Sequence, residues 1–146
     1  MVEIQIKKLH PDAIIPEYAH PTDAGMDLFA YTSAIIAPKT RASISTGFSM
    51  AFPPGYVALF WDKSGLAAKS GLTILAGVID SEYRGEPVIV VFNTSDQPYE
   101  VKKGQKIAQM LIQPVVHATV SEVTELNNTV RGTGGLGSTG IEKNKN

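Results

Sequence analysis

The chain has 146 residues, 13 of them basic and 14 acidic, for a net charge of −1. That length suits one domain whose core needs no covalent staples, and the charge balance argues against a protein that coats nucleic acid or adheres to membranes through a basic face. Cysteine is absent, which excludes disulfides, thiolate metal sites and cysteine nucleophiles. No apolar run approaches the ~18 residues that span a bilayer. The opening MVEIQIKKLHPD alternates apolar and polar residues and lacks the apolar stretch of a signal peptide. A cytoplasmic protein without nucleic-acid or membrane partners is expected.

In chain order, Val2–Ile6 reads as a first strand. Asp23-Ala24-Gly25-Met26-Asp27-Leu28 then sets two carboxylates around a glycine, a pattern that either holds a hydrated divalent ion or turns the chain into a strand over Asp27–Tyr31. Further strands are expected at Ser33–Ile36, Ala42–Thr46 and Tyr56–Trp61, separated by Pro38-Lys39 and Pro53-Pro54-Gly55. Ser64–Ser70 reads either as a short helix capped by Ser64 and ended by Gly71, or as a polar loop. Around it, Asp62-Lys63-Ser64-Gly65 offers a hydroxyl, free N–H groups and a lysine, chemistry that suits phosphate. After a strand at Leu72–Leu75, the run Gly77 to Gly85 ends a strand on Asp80, turns, and returns through Val88–Phe92 as a hairpin. Tyr83, three residues past Asp80, would stand beside the same cavity. The turns Ser95-Asp96-Gln97-Pro98 and Lys102-Lys103-Gly104 lead to a strand at Ile107–Ile112 that presents Gln109 on one face, and a last strand is expected at Val115–Val123. Many short strands rich in Val, Ile, Phe, Tyr and Thr indicate an all-β sandwich or barrel. His10, His20 and His117 have no partner spacing and read as structural or exposed.

The end of the chain differs in character. Five of the 13 glycines fall between Gly132 and Gly140. Gly132-Thr133-Gly134-Gly135-Leu136-Gly137 satisfies the dinucleotide pattern G-x-G-x-x-G, but that motif works only between a strand and a helix of a βαβ unit, and no helix pattern follows. What survives is a set of bare N–H groups flanked by Arg131 and Ser138, suited to an anion. So little apolar surface cannot order a segment by itself. The expected organisation is a single β domain over residues 1–130 and a flexible arm over 131–146, either a disordered tail or a segment that orders on a ligand or partner.

Each of these elements is weak alone. The ordered set DAGMDL, KSGLA, GVIDSEYRG, GQKIAQ and RGTGGLGSTG resembles the five motifs of the homotrimeric dUTPases, over most of the chain from Asp23 to Gly140. The resemblance implies a distorted jelly-roll or β-sandwich subunit of the dUTPase-like β-clip type with one short helix near residues 64–70. It implies a trimer whose Gly-rich arm closes over a neighbouring subunit's site. The implied activity is Mg²⁺-dependent hydrolysis of dUTP to dUMP and pyrophosphate, limiting uracil in DNA and supplying dUMP for dTMP synthesis. Asp80 matches the aspartate that activates water for attack on the α-phosphorus, and Asp27 the one that acts near the metal through water, the Mg²⁺ being held mainly by substrate phosphates. Tyr83 matches the residue beneath the deoxyribose, whose ring leaves no room for a 2′-hydroxyl. The main chain near Ala76, Gly77 and Val78 would read uracil. Ser64, Gly65, Gln109 and Arg131 match phosphate contacts, and Lys63, Leu136, Gly137 and Ser138 complete the substrate-binding set.

Two positions depart from the family pattern. Lys63 stands where an arginine is usual, which keeps the charge but loses the bidentate fork. Leu136 replaces an aromatic that stacks on the base, a loss on the order of 1 kcal/mol. Two alternatives remain. One is a dCTP deaminase on the same fold, for which Glu82 is the nearest acid–base candidate, though Ser64-Gly65-Leu66 fits the dUTPase pattern better. The other is a dUTP-binding regulatory trimer, which would need neither Asp80 nor a metal site.

Overall fold

The computed structural model describes residues 2–136 and 138. Eleven strands and one helix follow one another: β1 (Gln5–Lys8), β2 (Met26–Phe29), β3 (Ala34–Ile36), β4 (Arg41–Ile44), β5 (Phe48–Ala51), β6 (Tyr56–Asp62), α1 (Ser64–Ser70), β7 (Leu72–Leu75), β8 (Val78–Asp80), β9 (Ile89–Asn93), β10 (Tyr99–Val101) and β11 (Lys106–Pro114). All pairings are antiparallel. A four-stranded sheet runs β2-β11-β6-β8 and a three-stranded one β4-β9-β7, with the pairs β1-β5 and β10-β3 beside them. This is the all-β sandwich with one short helix that the strand spacing and the motif order predict.

Alternation places the core. On β9, Ile89, Val91 and Asn93 point inward while Val90 and Phe92 are half-buried. Leu28, Ile36, Ile44, Phe48, Val101 and Met110 join them from six other strands and are almost wholly excluded from water. The buried Asn93 is fully satisfied: its amide nitrogen donates to the carbonyls of Ile36 and Gln97, and its oxygen accepts from Ser95.

Four expectations are corrected. Residues 115–123 form no strand. Val116 and Val120 are 91% and 93% exposed, and the segment pairs with no strand among the described residues. The segment around Asp80 is not a hairpin with residues 88–92. β8 pairs with β6, opposing Asp80 to Val57, while β9 lies in the other sheet between β4 and β7. The link between β8 and β9 crosses from one sheet to the other, and Thr46 pins it by donating to the Pro87 carbonyl at 2.7 Å. The first strand starts at Gln5, where pairing with β5 begins. Finally, the residue before the helix is Lys63, not Ser64. Lys63 is extended, and its carbonyl receives the N–H groups of Leu66 and Ala67, so Ser64 is already helical and makes no capping bond. The helix ends as expected at Gly71, whose φ of 66° closes the last turn. β5 and β10 are strands that the sequence pattern passes over.

Candidate active site

The first group of candidate residues surrounds a cleft of about 660 Å³ bordered by Tyr56, Val78, Asp80, Glu82, Tyr83 and His117. Asp80 is the exposed last residue of β8, and its carboxylate enters no hydrogen bond or ion pair among the described residues. A tight turn follows: the Tyr83 N–H donates to the Asp80 carbonyl at 3.1 Å, and Arg84 donates to the carbonyls of Ser81 and Tyr83. The Tyr83 hydroxyl donates to the Glu86 carbonyl at 3.1 Å, leaving the ring 45% exposed. The Glu86 carboxylate in turn accepts from Ser45 and the Gly47 N–H, so the turn is tied to the body. His117 sits in the cleft on non-strand chain.

The segment Ala76-Gly77-Val78 connects the two sheets through positive φ angles of 63° at Ala76 and 102° at Gly77. A side chain at Gly77 would fall 2.9 Å from the Phe60 carbonyl, so only glycine fits. The Gly77 carbonyl accepts from the Phe60 N–H at 2.8 Å. Ala76 and Gly77 border a smaller hollow of about 230 Å³ beside Trp61, and Val78 borders both that hollow and the Asp80 cleft.

The second group gathers at the other end of β6. Asp27 on β2 has a side chain only 7% exposed, and it holds two ammonium groups: Lys63 Nζ at 2.6 Å on one oxygen and Lys106 Nζ at 2.9 Å on the other. Burial opposes ionisation of this carboxyl, but the hydrogen bonds and charges of the two lysines outweigh it and hold Asp27 below the usual carboxylate range. The hydrogen bond to Asp27 likewise raises Lys106. Gln109 pairs in register with Asp27 across β2-β11 and with Trp61 across β6-β11. Its amide donates to the Asp62 carbonyl at 3.0 Å. Ser64 and Gly65 open α1, where backbone N–H groups have no intrahelical acceptor. Lys106 is the residue that motif reading passed over. Its register two positions from Ala108 gives a signal only once the bulge between Lys106 and Ala108 is known.

The Asp80 and Asp27 groups stand at opposite ends of β6, with the hollow that Asp62 and Thr73 share with Ala76, Gly77 and Val78 between them. Val57, opposite Asp80, and Asp62, beside Gln109, are five residues apart on β6, about 17 Å at the usual strand rise of ~3.3 Å per residue. Among the described residues Arg131 donates to the nearby Gly134 carbonyl, and neither it, Leu136 nor Ser138 borders the Asp80 cleft. Leu136 is fully exposed. Gly137 lies outside the described residues.

The paired-carboxylate reading of Asp23 and Asp27 is also corrected. Asp23 turns to His20, accepting from its backbone N–H at 2.9 Å with the ring nitrogen at 3.1 Å, while Asp27 faces the lysines. Among the described residues no group of three or more His, Asp or Glu converges on one point. Hard divalent cations ask for several oxygen ligands, and a lone carboxylate already shared by two ammonium groups does not build such a cage. No helix among the described residues is long and apolar enough to cross a membrane.

The all-β fold thus sets an exposed carboxylate and an aromatic ring at one end of β6, and Asp27, Lys63, Lys106 and Gln109 at the other. The dUTPase family model matches residues 11–140. A deoxyuridine 5′-triphosphate nucleotidohydrolase of Clostridium acetobutylicum is 46% identical over 145 residues, covering 98% of this chain and 100% of the relative. One from Clostridium tetani is 47% identical over 139 residues, covering 94% and 96%. The solved structure of the Staphylococcus bacteriophage 80alpha dUTPase with dUPNHPP superposes with a TM-score of 0.88 at 30% identity, covering 95% of this chain and 99% of that one. The chain belongs to the dUTPase family and is a hydrolase.

Proposed function

We propose that the protein hydrolyses dUTP to dUMP and pyrophosphate in a homotrimer, with each site built from the Asp80 cleft of one subunit and the Asp27 cluster of another. The observation that carries this reading is the separation of two complementary halves on β6. One half holds an open carboxylate beside an aromatic ring, and the other holds cations and amide donors for a polyphosphate. Subunit contact brings both to one substrate.

In this reading Asp80 accepts the proton of a water as its oxygen bonds to the α-phosphorus, and the bond from that phosphorus to the bridging oxygen of pyrophosphate breaks. Tyr83 packs beneath the deoxyribose and leaves no space for a 2′-hydroxyl. The main chain at Ala76, Gly77 and Val78 reads the base, its wall stiffened by the bond from Phe60 to Gly77. A buried pattern of donors and acceptors rejects cytosine because its groups would be left unpaired. Lys63, Ser64, Gly65 and Gln109 hold the phosphates. The arm from Arg131 onward, with Leu136, Gly137 and Ser138, closes over a neighbour's site. Since the described residues build no metal cage, Mg²⁺ is read as part of the substrate, carried on its triphosphate. The names of the relatives, all deoxyuridine triphosphate hydrolases, support the substrate.

The test is pyrophosphate release from each dNTP and from UTP, with and without Mg²⁺, together with the mass of the assembly in solution. Multiple turnovers on dUTP by a trimer are expected. Release of dUTP from dCTP would indicate the deaminase, a stoichiometric burst would indicate a binder, and a catalytically active monomer would overturn the shared-site reading.

A further inference from the structure

We propose that Asp62 is a positioning residue for the phosphate-holding half of the site. This rests on the function proposed above. Asp62 is the last residue of β6, and the segment from Lys63 to Gly71 leaves from it to return as β7. β6 and β7 belong to different sheets, so no ladder of backbone bonds holds the two ends of this excursion together. The Asp62 carboxylate does so instead. It accepts the Ile74 N–H at 2.6 Å, and the Thr73 hydroxyl lies 3.0 and 3.2 Å from its two oxygens.

The main chain of the same residue orients Gln109. A carbonyl can only accept, so the amide nitrogen of Gln109 must face the Asp62 carbonyl, where it stands at 3.0 Å. The Gln109 oxygen is turned toward Gly25, whose missing side chain leaves it room. The second N–H of the amide is thereby left as the group that an anion can meet. One residue thus sets both the start of the Lys63-Ser64-Gly65 segment and the donor direction of Gln109.

The charge of Asp62 argues the same way. Its carboxylate takes no part in any ion pair among the described residues; the neighbouring Lys63 reaches Asp27 instead. A carboxylate held by neutral donors beside a polyphosphate seat repels the ligand, so its presence there is explained by the geometry it enforces. Charge-assisted bonds of this kind are shorter and stronger than neutral ones.

The experiment compares Asp62→Ala, Asp62→Asn and Thr73→Val with the unaltered protein, measuring kcat and KM for dUTP and inhibition by pyrophosphate and by deoxyuridine. Asp62→Ala is expected to weaken pyrophosphate binding about tenfold and raise KM similarly, with a clearly smaller effect on deoxyuridine inhibition, although Asp62 also borders the hollow beside Ala76, Gly77 and Val78. Asp62→Asn, which retains an acceptor for Ile74, is expected to restore pyrophosphate binding to within about threefold. Thr73→Val, which removes a single donor, should weaken it about threefold and serves if Asp62→Ala does not fold. Equal losses for pyrophosphate and deoxyuridine, unchanged pyrophosphate binding, or no rescue by asparagine would overturn the proposal. An unaltered protein that neither turns over dUTP nor binds pyrophosphate would instead overturn the function on which it rests.

Discussion

The two ends of β6 are built on opposite principles. At the Asp80 end the key side chains are open to solvent and held by a turn whose hydrogen bonds run through backbone carbonyls, leaving the carboxylate free. At the Asp27 end a buried carboxylate is saturated by two lysines, and Gln109 and Asp62 are fixed by short bonds. A group that must take up a proton works best without a standing partner. Groups that grip a multiply charged chain work best when their directions are set before it arrives. Substitutions at the two ends should therefore fail differently.

Asp80→Asn carries the largest expected effect. The amide cannot take the proton, so kcat should fall by about 10²–10⁴ while dUTP binding persists; binding by calorimetry alongside steady-state turnover checks it, and near-normal kcat would remove Asp80 as the base. Truncation after Val130 should leave a folded protein with kcat reduced at least about tenfold, read by turnover and by an unchanged thermal melt. Full activity in that protein would break the closing-arm reading.

Asp27→Asn should act on stability as well as on KM, costing about 2 kcal/mol at neutral pH, less than a wholly buried pair because the lysines are partly in water. Its pH dependence has a definite sign. The folded protein holds Asp27 below its ordinary range, so the stabilisation is complete above the unfolded value near ~3.9 and is lost as pH falls through the lower folded value. Denaturant titrations from pH 7 to pH 2 should show the variant and the original converging at the acid end. A difference that stayed constant would mean that Asp27 is not held by its lysines. The smallest effect is expected for Lys63→Arg, a few-fold change in KM with stability nearly unchanged, and Tyr83→Ala should raise the UTP to dUTP activity ratio without a comparable change in pyrophosphate inhibition.

Much of this was legible along the chain. The strands β2, β3, β4, β6, β7, β9 and β11 announce themselves because each alternates or runs apolar between Pro, Gly and Asp turns. β5 and β10 escape notice in the sequence and are held extended by pairing with β1 and β3. Residues 115–123 mislead because their valines have strand propensity but pair with no strand among the described residues. At the site, Asp80, Tyr83, Ser64 and Gln109 were named through motif order. Lys106 is not singled out by the motifs, and Asp62 enters only as the residue before Lys63, because their importance lies in which oxygen or amide they face, and no spacing rule encodes that.

The order of residues alone determined that this is a cysteine-free β domain with a glycine-rich end and five motifs of one enzyme family. Those properties follow from composition, alternation and local turn chemistry, which act over a few residues at a time. Only tertiary structure decided that β8 joins β6 rather than β9, that Asp27 faces two lysines rather than Asp23, and that the two halves of the site lie about 17 Å apart on one strand. Those outcomes depend on which sheets close around a shared core, and that choice is made by burial summed over the whole chain.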